Sequence, residues 1–403
     1  MRIAIIGSKG IPCRDGGVER HVEELAVRLT RLGQEVMVYS RKDYTRKTVK
    51  NYQGARIVYA PCLPTKNFGA ISHTFFSLLH VLFQRVDIIH IHSVGPSLLA
   101  FIPRIFKRKT KVIATFHSRD RFNSKWGRIA RFFLTLGEKA IVKFPHSTIT
   151  VSKNLYGYCL KNYPKSRLSY IPNGAMLIPK QKTKNIEKWG LAENNYILTV
   201  ARIIPLKGLH YLIRAFGSLP LNKKLVITGD YPKESRAYYL YLKQLCRDNS
   251  KIIFTGYQHG KTLAELFANC YLYVSASEVE GLSLSLLEAM AAGRCTLVSD
   301  IPENKEAIGE AGYTFRNKSF VDLAQKILFL NNHPELVLKN GALARERVKN
   351  FYNWSKIARQ TLALYTKVLT EKPAKTKKEQ NRVKPIFVSS RDEKSFAPTN
   401  NRH

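Results

Sequence analysis

The sequence predicts an α/β protein made of two successive Rossmann-like domains. Three observations carry that expectation. The chain has 403 residues, more than one hydrophobic core ordinarily organises. Short apolar runs alternate with segments of helical periodicity, the rhythm of a parallel sheet covered on both faces. That rhythm stops at a polar, proline-bearing stretch, "YIPNGAMLIPKQKTKN" at 170–185, and then starts again.

The first half opens with a strand over 2–6, "RIAII", followed by a glycine-rich loop and a helix over 18–32. Further strands fall at 35–40 and 55–60. Near-continuous apolar runs at 86–92 ("VDIIHIH"), 111–117 ("KVIATFH") and 147–152 read as strands buried on both faces. In the second half, strands are expected over 196–202, 224–230, 251–256, 270–277 and 294–300. Helices over 209–216, 237–249, 261–268 and 284–292 separate them. The domains are therefore placed at 1–175 and 190–351. Residues 371–403 hold nine Lys/Arg, four acids and little apolar content, which reads as a disordered basic tail.

Composition narrows the function classes. No apolar stretch reaches the roughly 18 residues a spanning helix needs. The opening "MRIAIIGSKG" runs straight into a glycine turn, unlike a signal peptide. A cytoplasmic location is expected. Six scattered cysteines form no C-x-x-C pair and no His/Cys cluster, so neither a disulfide framework nor a structural metal is expected. Sixty-six Lys/Arg against 29 acids give a formal charge of +37. That imbalance points to a polyanionic partner: nucleic acid, an anionic membrane face or phosphorylated substrates.

Open α/β sheets bind ligands beyond the C-terminal ends of their strands, so the candidates are sought there. After the first strand, Gly16 and Gly17 precede a helix. Glycines let the backbone approach a ligand, and the helix start offers N–H groups suited to phosphate. The loop lacks the G-x-G-x-x-G dinucleotide pattern. Arg202 and Lys207 follow the first strand of the second half, in "VARIIPLKG". A guanidinium fork with a point charge is suited to a diphosphate. Glu280 and Glu288 bracket "GLSLSLL". With Glu288 in a helix, their eight-residue offset spans about 12 Å, more than the 5–9.5 Å of a glycosidase acid pair. The two acids thus suit the two ends of one elongated ligand, with N–H groups near Leu282, Ser283 and Leu284 facing phosphates between them. Glu288 interrupts an apolar run, where an idle carboxylate is costly. His117 and Asp120, in "ATFHSRD", stand at another strand end.

Together these segments resemble the retaining glycosyltransferases of family 4, of the bacterial polysaccharide and lipopolysaccharide type. The likeness runs over 1–369 and rests on "GGVER", "HSRDRFNSKWG", "VSK", "IPNG", "VARIIPLKG", the E-x7-E segment "EGLSLSLLEAMAAG" and "VSDIPENKEAI". It implies the GT-B fold, two Rossmann-like domains facing a cleft, with a helix over 352–370 crossing back to the first. By the same resemblance, Gly16 and Gly17 approach the donor diphosphate, and Arg202 and Lys207 neutralise it as it leaves. Glu280 binds the donor sugar and Glu288 the nucleotide ribose. His117 lies by the reacting sugar, Asp120 serves the acceptor side, and Asn173 lines the cleft. One departure stands out: many relatives carry a Gly-Gly pair where this chain has "IPEN" at 301–304. With no D-x-D pair, neither a metal nor another cofactor is expected. The expected partners are a nucleotide-sugar donor and a glycan or lipid-linked acceptor, with no nucleic acid.

A helix in 111–143 bears on the charge. Trp126, Ile129, Ala130, Phe133, Leu136 and Ala140 recur at helical spacing and predict a buried face. Lys125, Arg128, Arg131 and Phe132 fall on another, a pattern that suits an anionic leaflet and so peripheral attachment to the inner face of the membrane. Two rival readings differ in class. A nucleic-acid-binding protein is prompted by charge alone, although no zinc finger or recognition helix is evident. A sugar-nucleotide epimerase would keep the fold and change the reaction.

Overall fold

The structure, a computed structural model, describes residues 1–45, 48–63, 65, 69–119, 121, 127–247 and 249–371. Asp120, Lys125, Trp126 and the basic tail beyond 371 lie outside the described residues.

Two separate parallel sheets form the frame. The first holds β1 (Arg2–Ile6), β2 (Glu35–Arg41), β3 (Asn51–Tyr52), β4 (Ala55–Ala60), β5 (Ile88–His92), β6 (Lys111–Phe116), β7 (Ser147–Thr150) and β8 (Leu168–Tyr170). Their order is β3-β4-β2-β1-β5-β6-β7-β8. Only the β3–β4 pair is antiparallel. The second holds β9 (Tyr196–Val200), β10 (Lys224–Thr228), β11 (Ile252–Gly256), β12 (Leu272–Ser275), β13 (Cys295–Ser299) and β14 (Tyr313–Phe315). They lie in the order β11-β10-β9-β12-β13-β14, all parallel. Chain order reverses between β1 and β5 and between β9 and β12. Such switch points open a crevice at the C-terminal strand ends.

The local reasons are ordinary. β5 and β13 are buried at every position, as parallel strands under helices on both faces must be. The first helix, Gly17–Arg31, turns Val22, Leu25, Ala26 and Leu29 inward and ends on Arg28 and Arg31, which suit its C-terminal dipole. The last helix, Trp354–Thr370, is capped by Asn353 Oδ1, which accepts from Ser355 N and Lys356 N. Its buried Trp354, Ile357 and Tyr365 share one core with Ile3 and Ile5, so the chain does cross back to the first lobe. The helix starts at Trp354, because Tyr352 closes the helix before it.

Short elements escaped the sequence reading. β8 and β14 have three residues each, too few to show an alternation, and Tyr170 proves to be strand and not linker. The helix Arg128–Lys143 corrects the predicted buried face. Its buried residues are Leu134, Gly137, Glu138, Ala140, Ile141 and Val142, so the expectation holds at Ala140, whereas Ile129 and Phe133 are exposed. Over its first two turns, from 128 to 133, every described residue but the half-buried Ala130 is exposed, so the apolar periodicity there does not mark a buried face.

The "IPEN" segment gains a clear role. Pro302 opens a short helix, Pro302–Ile308, whose acids reach the first lobe. Glu306 accepts from Lys153 N at 2.8 Å and from Tyr170 Oη at 3.0 Å, and Glu303 accepts from Asn154 Nδ2 at 2.6 Å. These bonds tie the lobes beside the hinge.

Candidate active site

The crevice is built from four strand ends. On the first lobe, the loop after β1 leads to Gly16, whose φ of 96° is left-handed territory that favours glycine. Tyr44 holds this loop from behind: its hydroxyl accepts from Arg14 N at 2.6 Å and Asp15 N at 2.9 Å. A Cβ on Gly17 would meet Leu284 Cδ1 of the second lobe at 3.8 Å. The glycine loop therefore faces the start of the helix Leu284–Ala291 across the crevice. Ser283 caps that helix with Oγ accepting from Leu286 N, and the remaining first-turn N–H groups are the usual unpaired donors of a helix start.

On the second lobe, Gly208, at φ 61°, packs so tightly on Ala276 that a Cβ there would lie 2.1 Å from its carbonyl oxygen. That contact sets Lys207 beside the acidic segment, and Lys207 Nζ donates to Glu280 Oε1 in a mostly buried ion pair. Arg202 is exposed and has no ion-pair partner among the described residues. Glu288 lies in the second turn of its helix, half-buried. Burial pushes its carboxyl up to about 7, with Arg20 of the first lobe pulling it down and Glu24 pushing it up. Burial works against the Arg20 charge, but Glu24, Glu288 and Glu23 outweigh it and raise that guanidinium further. The charges that act on Glu288 thus come from the opposite lobe.

Between these walls lies a cluster of imidazoles. His92, at the end of β5, places Nδ1 3.0 Å from His117 Nε2, beyond the end of β6. The His21 ring stands 4.8 Å from that of His117 and 5.4 Å from that of His92. His21 Nδ1 meets Asn173 Oδ1 at 2.9 Å, and Asn173 Nδ2 donates to Leu282 O at 2.9 Å. Asn173 therefore links the first helix, the hinge and the acidic segment. Burial pulls His21 down to about 4 and drives His92 and His117 well below the usual histidine value, neighbouring imidazoles adding to the effect on the latter two. All three are neutral near pH 7. Their ring nitrogens lie within 4.8 Å of one another, a spacing from which a metal ion could be held. Two of those nitrogens already face each other as a hydrogen-bonded pair. The lobes pack closely here: a Cβ on Gly281 would fall 1.7 Å from the His117 carbonyl oxygen.

Of the residues singled out in the sequence, the structure gathers Gly17, His117, Asn173, Leu282, Ser283, Leu284, Lys207, Glu280 and Glu288 about one crevice. Gly16 borders it as the cap of the first helix, and Arg202 lies at the end of β9. Asp120 is outside the described residues. Sequence reading passed over Arg20, His21, His92 and Glu306. A signal for two of them was present. His92 breaks the apolar run of a fully buried strand, and His21 falls on the apolar stripe of the first helix, one turn before Leu25.

Known proteins share this architecture. Residues 15–176 match the family described as Glycosyltransferase Family 4, and residues 181–347 match Glycosyl transferases group 1. An uncharacterized glycosyltransferase of Methanocaldococcus jannaschii is 27% identical over 91% of this chain and 98% of its own length. The N-acetyl-alpha-D-glucosaminyl L-malate synthase of Bacillus anthracis is 24% identical over 72% of this chain and 76% of its own. Among solved structures, the sucrose-phosphate synthase of Thermosynechococcus elongatus superposes with a TM-score of 0.79 at 20% identity, over 91% of this chain and 98% of that one. Anabaena HepE, solved with UDP and glucose, superposes with a TM-score of 0.76 at 18% identity, over 91% of this chain and all of that one.

Proposed function

Because the chain is a GT-B-fold glycosyltransferase, a family 4 segment followed by a group 1 segment, we propose that it transfers a sugar, with retention, from a nucleotide sugar to a glycan or lipid-linked acceptor of a surface polysaccharide. The observation that carries this is the crevice itself. Cations and a helix start from one lobe face a glycine loop and neutral imidazoles from the other. In this reading the donor diphosphate lies between Gly16–Gly17 and the N–H groups at Leu284. Glu288 takes the ribose hydroxyls at one end and Glu280 the sugar hydroxyls at the other.

The bond from the sugar's anomeric carbon to the diphosphate oxygen breaks, and charge grows on that oxygen. In this reading Arg202, Lys207 and the helix N–H groups stabilise that charge, Lys207 leaving its pair with Glu280 to do so. The acceptor oxygen forms the new bond on the same face, and its proton passes to the departing phosphate. Nucleoside diphosphate and the lengthened glycan leave. His117 is neutral and donates or accepts a hydrogen bond at the reacting sugar. No step in this scheme asks for a metal ion.

Several relatives act in related settings by name, among them an O-antigen chain mannosyltransferase of Escherichia coli and phosphatidylinositol N-acetylglucosaminyltransferase subunits of yeasts. They support the polysaccharide and lipid-linked side of the reading. The test is direct. A panel of UDP-, GDP- and other nucleotide sugars is scored by thermal shift and by release of nucleoside diphosphate. Arg202→Ala and Lys207→Ala are each expected to lower turnover by about 100-fold or more. Near-normal turnover in both would remove the cation role. A donor inverted at C4 or C2 with no nucleotide released would replace transfer by epimerisation.

A further inference from the structure

The sheet of the first lobe is covered by a helical layer on each face, and the two layers show different surfaces to solvent. On the Ile3 and Ile5 side lie the helices Gly17–Arg31 and Trp354–Thr370. Among the described residues, neither of them exposes a large apolar side chain. On the Ala4 and Ile6 side lie the helices Gly69–Leu82, Phe101–Phe106 and Arg128–Lys143. Here the outward positions are aromatic and aliphatic. Phe75 and Leu79 lie one turn apart on the helix Gly69–Leu82, and Phe83, directly after its last residue, is 82% exposed. Phe106 is 70% exposed, and Ile129 and Phe132 are exposed in the first two turns of the third helix. Phe83 and Phe106 line one recess, and so many exposed large apolar side chains on one layer call for a partner.

The stretch of sequence that includes these helices is strongly basic. Residues 61–146 contain fourteen Lys/Arg and three acids. Asp87 is engaged by Arg2 through its backbone N–H at 2.7 Å and its guanidinium at 3.2 Å. Glu138 is buried, accepting from Tyr158 Oη at 3.0 Å with Arg121 3.5 Å away. Asp120 lies outside the described residues. At one edge Phe83, Arg85, Phe106, Arg108 and Lys109 line a recess of about 880 Å³. Leu369 also lines it, so the basic stretch 372–403, with nine Lys/Arg and three acids, continues the chain from this edge.

We propose that this face of the first lobe docks on an anionic lipid bilayer, its aromatic side chains at headgroup depth and its cations on the lipid phosphates. Aromatic rings set among cations match the polar-to-apolar boundary of a membrane, and the lack of free acids among the described residues suits anionic headgroups. Among the described residues no helix is long and apolar enough to cross a membrane, so the contact is lateral. The inference deepens the lipid-linked-acceptor reading and rests on it only for its purpose. It widens the surface beyond the single basic helix seen in the sequence.

The test uses the full chain and sedimentation with vesicles of phosphatidylcholine alone or with phosphatidylglycerol. Binding is expected to the anionic vesicles only. Phe83→Glu/Phe106→Glu is expected to weaken it about tenfold or more. Arg108→Glu/Lys109→Glu is expected to weaken it and flatten its salt dependence. Arg359→Glu, on the opposite layer, is expected to bind as the parent does. Donor hydrolysis without vesicles reports separately on the transferase reading and is expected to be unchanged in all three variants. Equal binding to neutral vesicles, or parental binding by Phe83→Glu/Phe106→Glu, overturns the proposal. So does a parent dimer that this variant renders monomeric, because the face would then serve self-association.

Discussion

Replacing Glu288 by Gln should make the protein more stable and a poorer enzyme, and the two effects have one cause. The carboxyl is moved from 4.5 to about 7 by burial. Holding it ionised at pH 8 costs about 3 kcal/mol, which its partial solvent access reduces to about 2 kcal/mol. The folded value lies above the unfolded one. The penalty is therefore absent below pH 4.5, grows as pH rises through about 7, and is constant beyond. A neutral amide at this position would carry no such penalty. In urea or thermal melts Glu288→Gln should match the parent at pH 4.5 and exceed it by about 2 kcal/mol, roughly 2–3 °C, at pH 8. If the carboxylate binds the ribose hydroxyls, the amide loses one charge-assisted acceptor, and the donor's dissociation constant should rise about 10- to 100-fold by calorimetry. Parental donor affinity should itself improve as pH rises through 7, and the variant's should not. A stability gain no larger at pH 8 than at pH 4.5, or donor binding as tight as the parent's, refutes the reasoning.

Three further expectations follow from the same geometry. Gly281→Ala must push the acidic segment off His117, since the new Cβ falls 1.7 Å from a carbonyl oxygen, whereas Gly17→Ala meets only a leucine methyl at 3.8 Å. Turnover should collapse in the first and fall far less in the second; equal losses would contradict the close contact. Below pH 6.5 the neutral buried imidazoles, which include His90, fully buried on β5, become a liability, because the folded values of about 4 for His21 and about 3 for His90 lie below the unfolded one. Stability should be full above pH 6.5 and fall by about 2 kcal/mol per site by pH 5, read from urea midpoints; a flat profile would show that these rings are not held neutral. Turnover is expected to survive EDTA, and a loss restored by Mg²⁺ or Mn²⁺ would show that the cations of the crevice do not suffice.

Much of the frame was legible because it follows from chain-local physics. Buried parallel strands read as apolar runs, and the long runs at 88–92, 111–116 and 295–299 announced themselves. Glu288 was legible for a related reason: a carboxylate inside an apolar helix needs a purpose. What escaped had no local mark. Three-residue strands show no period, and the exposed Ile129 and Phe133 kept a helical period over turns that face no core.

Sequence by itself determined the two parallel sheets, the glycine turn, the cationic segment and the acids, because each depends on neighbours within a few residues. Tertiary structure alone decided who faces whom. Arg20 meets Glu288 from the opposite lobe, and His92 meets His117 from 25 residues away. Asn173 joins His21, 152 residues before it, to Leu282, 109 residues after it. The physical reason is that charge, burial and hydrogen bonding act through space, and the separation of two groups in a crevice is set by how the lobes pack and not by their distance along the chain.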